Sequence, residues 1–123
     1  MFVIACVAGG LLGGGCDGGG CDGSAATAAA RQRALTRAQA AMPQDQRLAD
    51  LYEHSCRSCH TQVDTGAPLA QDRSAWDSRW DKGMSALLQS VMAGRNGMPP
   101  SGQCFACSSQ DLEALTKFLA GRE

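Results

Sequence analysis

The sequence predicts an all-α domain, in which three or four short helices fill residues 44–123. Three observations lead to this class. No segment alternates polar and apolar residues as a half-buried strand would. Apolar residues instead recur three and four positions apart, which is the spacing of one helix face. Residues that begin or end helices flank these stretches.

The first predicted helix begins near Asp45 and runs into a cysteine motif at residue 56. Asp45 follows Pro43 and suits an N-cap, because its carboxylate can accept hydrogen bonds from the unpaired amides of the first turn. One face of this helix carries Leu48, Leu51, Tyr52 and Ser55.

The second predicted helix runs from about residue 83 to 93, with Gly94 as its natural end. Its apolar residues form a stripe at core-facing spacing and are Met84, Leu87, Leu88, Val91 and Met92. Met84 and Met92 are therefore expected to pack in the core. A further short helix is predicted around residues 74–80.

The third predicted helix runs from about residue 109 to 120 and is capped by Ser108 or Ser109. Asp111 and Glu113 lie in its first turn, where the helix dipole favours acidic side chains. Its apolar face carries Leu112, Leu115, Phe118 and Leu119, and Gly121 ends it.

Composition divides the chain into three parts. Residues 1–23 are rich in glycine, carry no Lys or Arg, and contain Gly-Gly-Gly-Cys-Asp-Gly at 13–18 and again at 18–23. Residues 24–43 are rich in alanine and are expected to form a linker. Residues 44–123 hold both histidines and all the helical patterns, so we place the folded domain there. A domain of this size is marginal alone and needs a disulfide, a metal or a large cofactor.

The charge of the chain excludes two classes of protein. Its 11 basic and 12 acidic residues give a formal net charge of −1. A nucleic-acid binder would show an excess of clustered Lys and Arg. A disordered acidic tail would show a run of like charges.

The strongest motif is Cys56-Arg57-Ser58-Cys59-His60, because C-x-x-C-H is typical of covalent haem attachment. Two thiols at this spacing can bond to the two vinyl groups of a porphyrin, and the adjacent imidazole can bind the iron. Two alternatives stay open. A redox-active C-x-x-C is expected in a βαβ context, which this chain lacks. A structural zinc site would need Cys104 and Cys107 as further ligands.

Met98 is the candidate for the second axial ligand of the iron. It lies in Gly97-Met98-Pro99-Pro100, outside the predicted helices. The following proline favours an extended backbone at Met98, and two prolines stiffen the segment. The alternative is an ordinary turn in which the methionine has no special role. The C-x-x-C-H motif upstream favours the ligand role over this alternative.

These motifs and their order resemble those of the class I c-type cytochromes, most closely the cytochrome c5 group. The resemblance covers about residues 48–121. The matching stretches are Leu51-Tyr52 before the haem motif, Thr65-Gly66-Ala67-Pro68, Trp76 with Arg79, Gly83, Gly97-Met98-Pro99-Pro100, and Cys104-x-x-Cys107-Ser108. The resemblance implies a small class I cytochrome c fold, with three to four helices wrapped around one covalently bound haem c.

The resemblance also implies the roles of individual residues. Cys56 and Cys59 would carry the thioethers, His60 would be the proximal ligand and Met98 the distal one. The Pro68 carbonyl would accept a hydrogen bond from the other ring nitrogen of His60, which fixes the tautomer.

The resemblance further places Trp76 and Arg79 near the haem propionates, although Trp76 could equally be a core residue. Cys104 and Cys107 match the disulfide of the cytochrome c5 group. One position departs from the pattern, since Leu48, beside Ala49, stands where the family usually has glycine. His54 is expected to be a surface histidine.

The amino-terminal segment suggests export and a lipid anchor. Residues 1–12 are apolar but too short to span a bilayer. They lack the basic start of a signal peptide, although Cys16 follows small residues as in a lipoprotein processing site. We expect Cys16 to be lipidated and the following residues to be a coil-like tether. Val3-Ile4-Ala5-Cys6 fits the processing pattern better residue by residue, but almost no apolar segment precedes it. Cys21 has no assigned role.

The function expected from these residues is one-electron transfer in a periplasmic or membrane-associated chain, by a monomer with redox proteins as donor and acceptor. His/Met ligation fills both axial positions, so substrate chemistry at the iron is disfavoured and no enzymatic activity is expected. The alternative is a haem sensor or peroxidase-like subunit from which Met98 detaches.

Overall fold

A computed structural model describes residues 21–123 and confirms the predicted all-α class. Its helices are α1 (Cys21–Ala40), α2 (Gln46–His54), α3 (Arg57–His60), α4 (Arg73–Trp80), α5 (Met84–Ala93) and α6 (Ser109–Leu119), with a 3-10 turn at Pro100–Gln103. Within residues 21–123 no strand is present, and no helix is both long and apolar enough to cross a membrane. The predictions for Cys6 and Cys16 lie outside the described residues.

The ends of three helices follow the capping chemistry read from the sequence. The Asp45 carboxylate accepts a hydrogen bond from the Leu48 amide at 2.9 Å and starts α2. Ser108 and Asp111 form a reciprocal capping box at the start of α6. Gly94 ends α5 with a positive φ of 79°.

The core forms where α2 meets α6. Ala49 is buried on α2, and the Tyr52 ring meets the edge of the Phe118 ring with centroids 5.0 Å apart. Leu48, the position that departs from the resemblance, is half-buried against the core. The buried cluster of this domain contains Tyr52, Cys56, Leu69, Ala70, Trp76, Leu115, Phe118, Leu119 and Ala120.

A bidentate ion pair connects α2 to α6 across 64 residues of sequence. Both terminal nitrogens of Arg47 donate to the Asp111 carboxylate, at 2.5 and 2.9 Å. Ser108 also donates to this carboxylate through its amide and its hydroxyl. These donors, Arg47 first, hold the pKa of Asp111 well below its ordinary value.

We expect this ion pair to make stability depend on pH in the acid range. A carboxyl whose pKa is lowered on folding stabilises the protein above its unfolded pKa of about 3.9, and this contribution is lost as the pH falls below it. Asp111→Asn should therefore lower the free energy of unfolding at pH 7 and flatten its decline below about pH 5. Urea unfolding followed by circular dichroism across pH 2–7 would measure both effects. Glu113→Gln, which removes only a surface pair with Lys117, should change little. Parallel declines in the wild type and Asp111→Asn would contradict the assignment.

The alanine-rich segment differs from its prediction, because the expectation of a coil-like tether is wrong for residues 24–40. These residues form most of α1, and Ala34 and Ala38 of its C-terminal half are buried in the core cluster. Alanine has the highest helix propensity, and its small side chain lets two backbones approach closely. The segment expected to be free of the domain therefore packs against it.

The apolar stripe of α5 also differs from its prediction. Leu87 is buried, but Met84 is only half-buried and Met92 is 48% exposed. No α5 residue belongs to the core cluster of the described residues. The protein core alone therefore does not bury Met92, and it buries Met84 only in part, which differs from the expectation that both methionines pack in the core.

Candidate functional site

The C-x-x-C-H motif forms one helical turn directly after α2. The Cys56 carbonyl accepts hydrogen bonds from the amides of Cys59 and His60, at 3.3 and 3.1 Å. Cys59 and His60 follow Cys56 by three and four positions, so each of them lies one helical turn from Cys56. Cys56 is buried, Cys59 is exposed, and neither is in a disulfide.

The imidazole of His60 is held in a single orientation. Its Nδ1 lies 2.7 Å from the Pro68 carbonyl, which can only accept, so Nδ1 carries the proton and Nε2 keeps its lone pair. The ring is 5% exposed and stacks on Trp76 with centroids 5.7 Å apart. Burial lowers the pKa of His60, and the charge of Arg79 lowers it further, while the bond to Pro68 acts in the opposite direction. The site thus favours a neutral imidazole, the form that binds a metal.

Trp76 and Arg79 both lie on α4 and have different surroundings. The Trp76 side chain is buried, and its Nε1 donates to the Leu69 carbonyl at 2.8 Å. Its only donor is therefore used within the fold, which favours the core alternative for this residue. Arg79 is exposed and donates to the Ala75 carbonyl.

Met98 lies on a tight loop between α5 and the 3-10 turn. Its amide donates to the Arg95 carbonyl at 2.9 Å, and its carbonyl accepts from the Arg95 amide at 3.0 Å. The side chain is half-buried, and its methyl group lies close to Gly102. Backbone contacts therefore fix the position from which the thioether extends.

Gly94 is required for the closure of this loop. A Cβ at position 94 would lie 2.7 Å from the Met98 carbonyl oxygen and 2.9 Å from the Pro100 nitrogen. Its φ of 79° and ψ of 158° fall in a region that side chains rarely enter.

We expect Gly94→Ala to displace the Met98 loop. The backbone strain alone should cost about 1–3 kcal/mol, and the backbone clash adds to it. The free energy of unfolding should fall, and so should the sulfur–iron absorbance expected from Met98 as the predicted distal ligand. Gly97→Ala is the matched control, because a Cβ there would meet nothing within 4 Å. Equal behaviour of the two variants would contradict a special role for Gly94.

The sulfurs of Cys104 and Cys107 are bonded to each other in the structure, with their Cα atoms 5.3 Å apart. They are therefore not free to join Cys56 and Cys59 around a zinc ion. Among residues 21–123, no group of three or more His, Cys, Asp or Glu side chains converges on a metal position. The geometry does not support the zinc alternative.

The described residues fit a covalently bound haem. Two thiols outside any disulfide and an imidazole whose Nε2 keeps its lone pair lie within a single turn. The half-buried stripe of α5 provides apolar surface that the protein core does not cover. A haem needs both the covalent and axial donors and an apolar environment.

Two features of the site were not predicted from the sequence. The stacking of His60 on Trp76 depends on where α4 lies relative to α3. The close approach of Gly94 to the Met98 loop could have been suspected, because a glycine stands there in the sequence, but Gly94 was interpreted only as the end of a helix. The surface position of His54, whose Nδ1 meets the Asp50 carbonyl at 2.7 Å, agrees with its prediction.

Comparison with known proteins gives one family and several relatives. The family model described as cytochrome c oxidase, cbb3-type, subunit III, matches residues 43–119. The chain is 34% identical over 74 residues to a cytochrome c5 from Ectopseudomonas mendocina, covering 58% of this chain and 85% of that protein. It is 35% identical over 74 residues to a cytochrome c5 from Azotobacter vinelandii, covering 58% and 89%. It is 36% identical over 75 residues to a cytochrome c-555 from Chlorobaculum tepidum, covering 58% and 69%.

Proposed function

Because this chain belongs to the class I c-type cytochromes and resembles cytochrome c5, and so binds one haem c covalently, we propose that it is a one-electron carrier of the periplasm. The observation that carries this proposal is the buried His60, whose Nδ1 is bound to Pro68 and whose Nε2 is free. When bound, the haem supplies an iron that takes up and releases a single electron.

Each residue of the site has a proposed role. Cys56 and Cys59 hold the haem through thioethers, and His60 is the proximal ligand. The Pro68 carbonyl orients the His60 ring and makes it a stronger donor. Met98 is the distal ligand, and Arg79 is the residue of α4 that pairs with a haem propionate.

Closed axial coordination supports electron transfer over chemistry on a substrate. With His60 on one side and Met98 on the other, the iron would have no position for a substrate, and the thioether raises the reduction potential. Cys59 and Val63, both close in sequence to the proximal ligand, are exposed. An exposed apolar side chain such as Val63, in a chain with a formal net charge of −1, suits brief contact with electron donors and acceptors.

Redox titration combined with ligand binding tests this proposal. We expect the holoprotein to titrate with the slope of a single electron, about 59 mV for each tenfold change in the ratio of its two forms. Cyanide should bind slowly to the oxidised wild type, since Met98 occupies the position it needs. Fast cyanide binding or peroxidase turnover by the wild type would favour the sensor or peroxidase alternative instead.

The proposed location rests on chemistry that needs an oxidising compartment. Covalent haem attachment and the Cys104–Cys107 disulfide both suit the periplasm, and disulfides are rare in the cytosol. We propose that the disulfide persists in the mature protein and that Cys16 carries a lipid anchor. In that arrangement α1 lies between the anchor and the haem domain.

Cys16→Ser should move the cytochrome from the membrane pellet to the soluble periplasmic fraction. Each buried CH₂ of a lipid chain contributes about 0.8 kcal/mol, so two or more chains anchor a protein firmly. Fractionation followed by haem absorbance measures the shift, and intact-mass spectrometry should find acyl chains on residue 16. Cys21→Ser is the control and should stay in the membrane fraction. An unmodified amino terminus beyond residue 21 would exclude the anchor.

A further inference from the structure

Helix α1 packs on the haem domain although it lies before the residues that match the family. The match begins at residue 43, whereas α1 spans Cys21–Ala40. Ala38 is 0% exposed and Ala34 is buried, and both belong to the cluster that contains Cys56. The last seven residues of α1, residues 34–40, therefore cover the core beside the proposed first thioether.

Arg57 joins this part of α1 to the haem motif. Its Nη2 donates to the Gln39 carbonyl at 3.1 Å, and its Nη1 pairs with the Glu53 carboxylate at 3.1 Å. Gln39 lies in the last turn of α1, where carbonyls lack partners within the helix and the dipole favours a cation. Arg57 is also the residue that directly follows Cys56. One guanidinium thus connects α1, α2 and the haem-attachment turn.

We propose that residues 34–40 are a fixed cover over the Cys56 side of the haem site, and that Arg57 is the positioning residue that holds this cover closed. The proposal rests on the haem ligation proposed above. The function of the cover is to exclude water from that side of the site and thereby to raise the reduction potential of the protein.

The expected rise in reduction potential follows from the charges of the two redox states. The oxidised iron centre carries one more positive charge than the reduced one, so water stabilises the oxidised state more. A cover that excludes water therefore favours the reduced state. The positive charge of Arg57, the residue after Cys56 in the sequence, also disfavours the oxidised state.

Two neutral substitutions in the full holoprotein test the cover. Ala38→Gln places a larger polar side chain where no space is available, so α1 should open. Ala30→Gln is the matched control, because Ala30 is exposed on the same helix. We expect faster hydrogen exchange of amides 34–40 and a lower reduction potential in Ala38→Gln, and neither change in Ala30→Gln.

Arg57→Ala tests the positioning role without disturbing the buried interface. The bond from Arg57 to the Gln39 carbonyl has a charged donor, so its loss should accelerate exchange of amides 34–40 about tenfold. Arg57→Lys, which keeps the charge, should restore part of the loss. In the double variant Ala38→Gln/Arg57→Ala, the fall in potential should be smaller than the sum of the two single falls, because both act through α1.

Three outcomes would overturn the proposal. Unchanged exchange in Arg57→Ala would show that Arg57 does not hold α1. An unchanged potential in a variant whose α1 exchanges faster would show that α1 does not act on the haem. Additive falls in potential would show that Arg57 acts by its charge alone. Retention of the sulfur–iron absorbance in every variant separates such a failure from a failure of the His60 and Met98 ligation.

Discussion

Replacing both Cys56 and Cys59 with alanine is expected to abolish covalent haem attachment and to leave the domain largely unfolded. Cys56 belongs to the core cluster, and α5 presents apolar side chains that the rest of the protein covers only partly. A domain this small is marginal without its cofactor, and a ligand that binds only the folded state stabilises it by mass action. The loss of folded protein in this variant should therefore be close to complete.

Haem staining of the denatured chain and far-ultraviolet circular dichroism measure the two effects. The control is the double variant Cys104→Ala/Cys107→Ala, which also removes two sulfurs but leaves the haem motif intact. It should keep its haem and its helices. A Cys56→Ala/Cys59→Ala protein that remains folded and helical would contradict a central structural role for the haem.

Replacing Met98 with alanine is expected to lower the reduction potential and to open the iron to small ligands. Loss of the thioether should lower the potential on the order of 0.1 V, within the span of about 0.8 V over which axial ligands set haem potentials. Cyanide should then bind quickly to the oxidised protein. Potentiometric titration and stopped-flow absorbance measure the two changes.

Two other methionines provide controls for this substitution. Met84 is half-buried on α5 and Met92 is 48% exposed. Met84→Ala should cost stability, by less than the about 2–5 kcal/mol of a fully buried methionine. Met92→Ala should cost less still, and neither should change the ligation. An oxidised spectrum of Met98→Ala identical to that of the wild type would assign the distal ligand to another residue.

The parts of the fold that could be predicted are those whose signals are local in sequence. Asp45 caps α2 through an amide three positions away, and Ser108 caps α6 through Asp111 in the same way. The haem motif is also local, because its two thiols and its imidazole lie within five consecutive residues.

The parts that could not be predicted depend on contacts between distant residues. Arg47 meets Asp111 across 64 positions, and Arg57 reaches Gln39 across 18. The burial of Ala38 depends on a core formed by residues far along the chain. Alanine gives a strong helix propensity but a weak apolar signal, so composition alone did not distinguish a packed helix from a tether.

The stripe of α5 shows a different limit of sequence patterns. Its spacing identified a helix and one apolar face correctly. The periodicity of apolar residues indicates that one face of a helix is buried, but it does not identify what covers that face. For α5 the protein covers this face only partly, and the proposed haem accounts for the remainder.

The most direct test of this account is the visible spectrum of the purified protein, expressed with export to the periplasm and recorded in both redox states. We expect a red protein whose colour remains with the denatured chain, with sharp reduced bands of a c-type haem and a far-red sulfur-to-iron band when oxidised. A colourless protein, or haem that separates on denaturation, would contradict covalent attachment at Cys56 and Cys59. A c-type spectrum without the far-red band would contradict ligation by Met98.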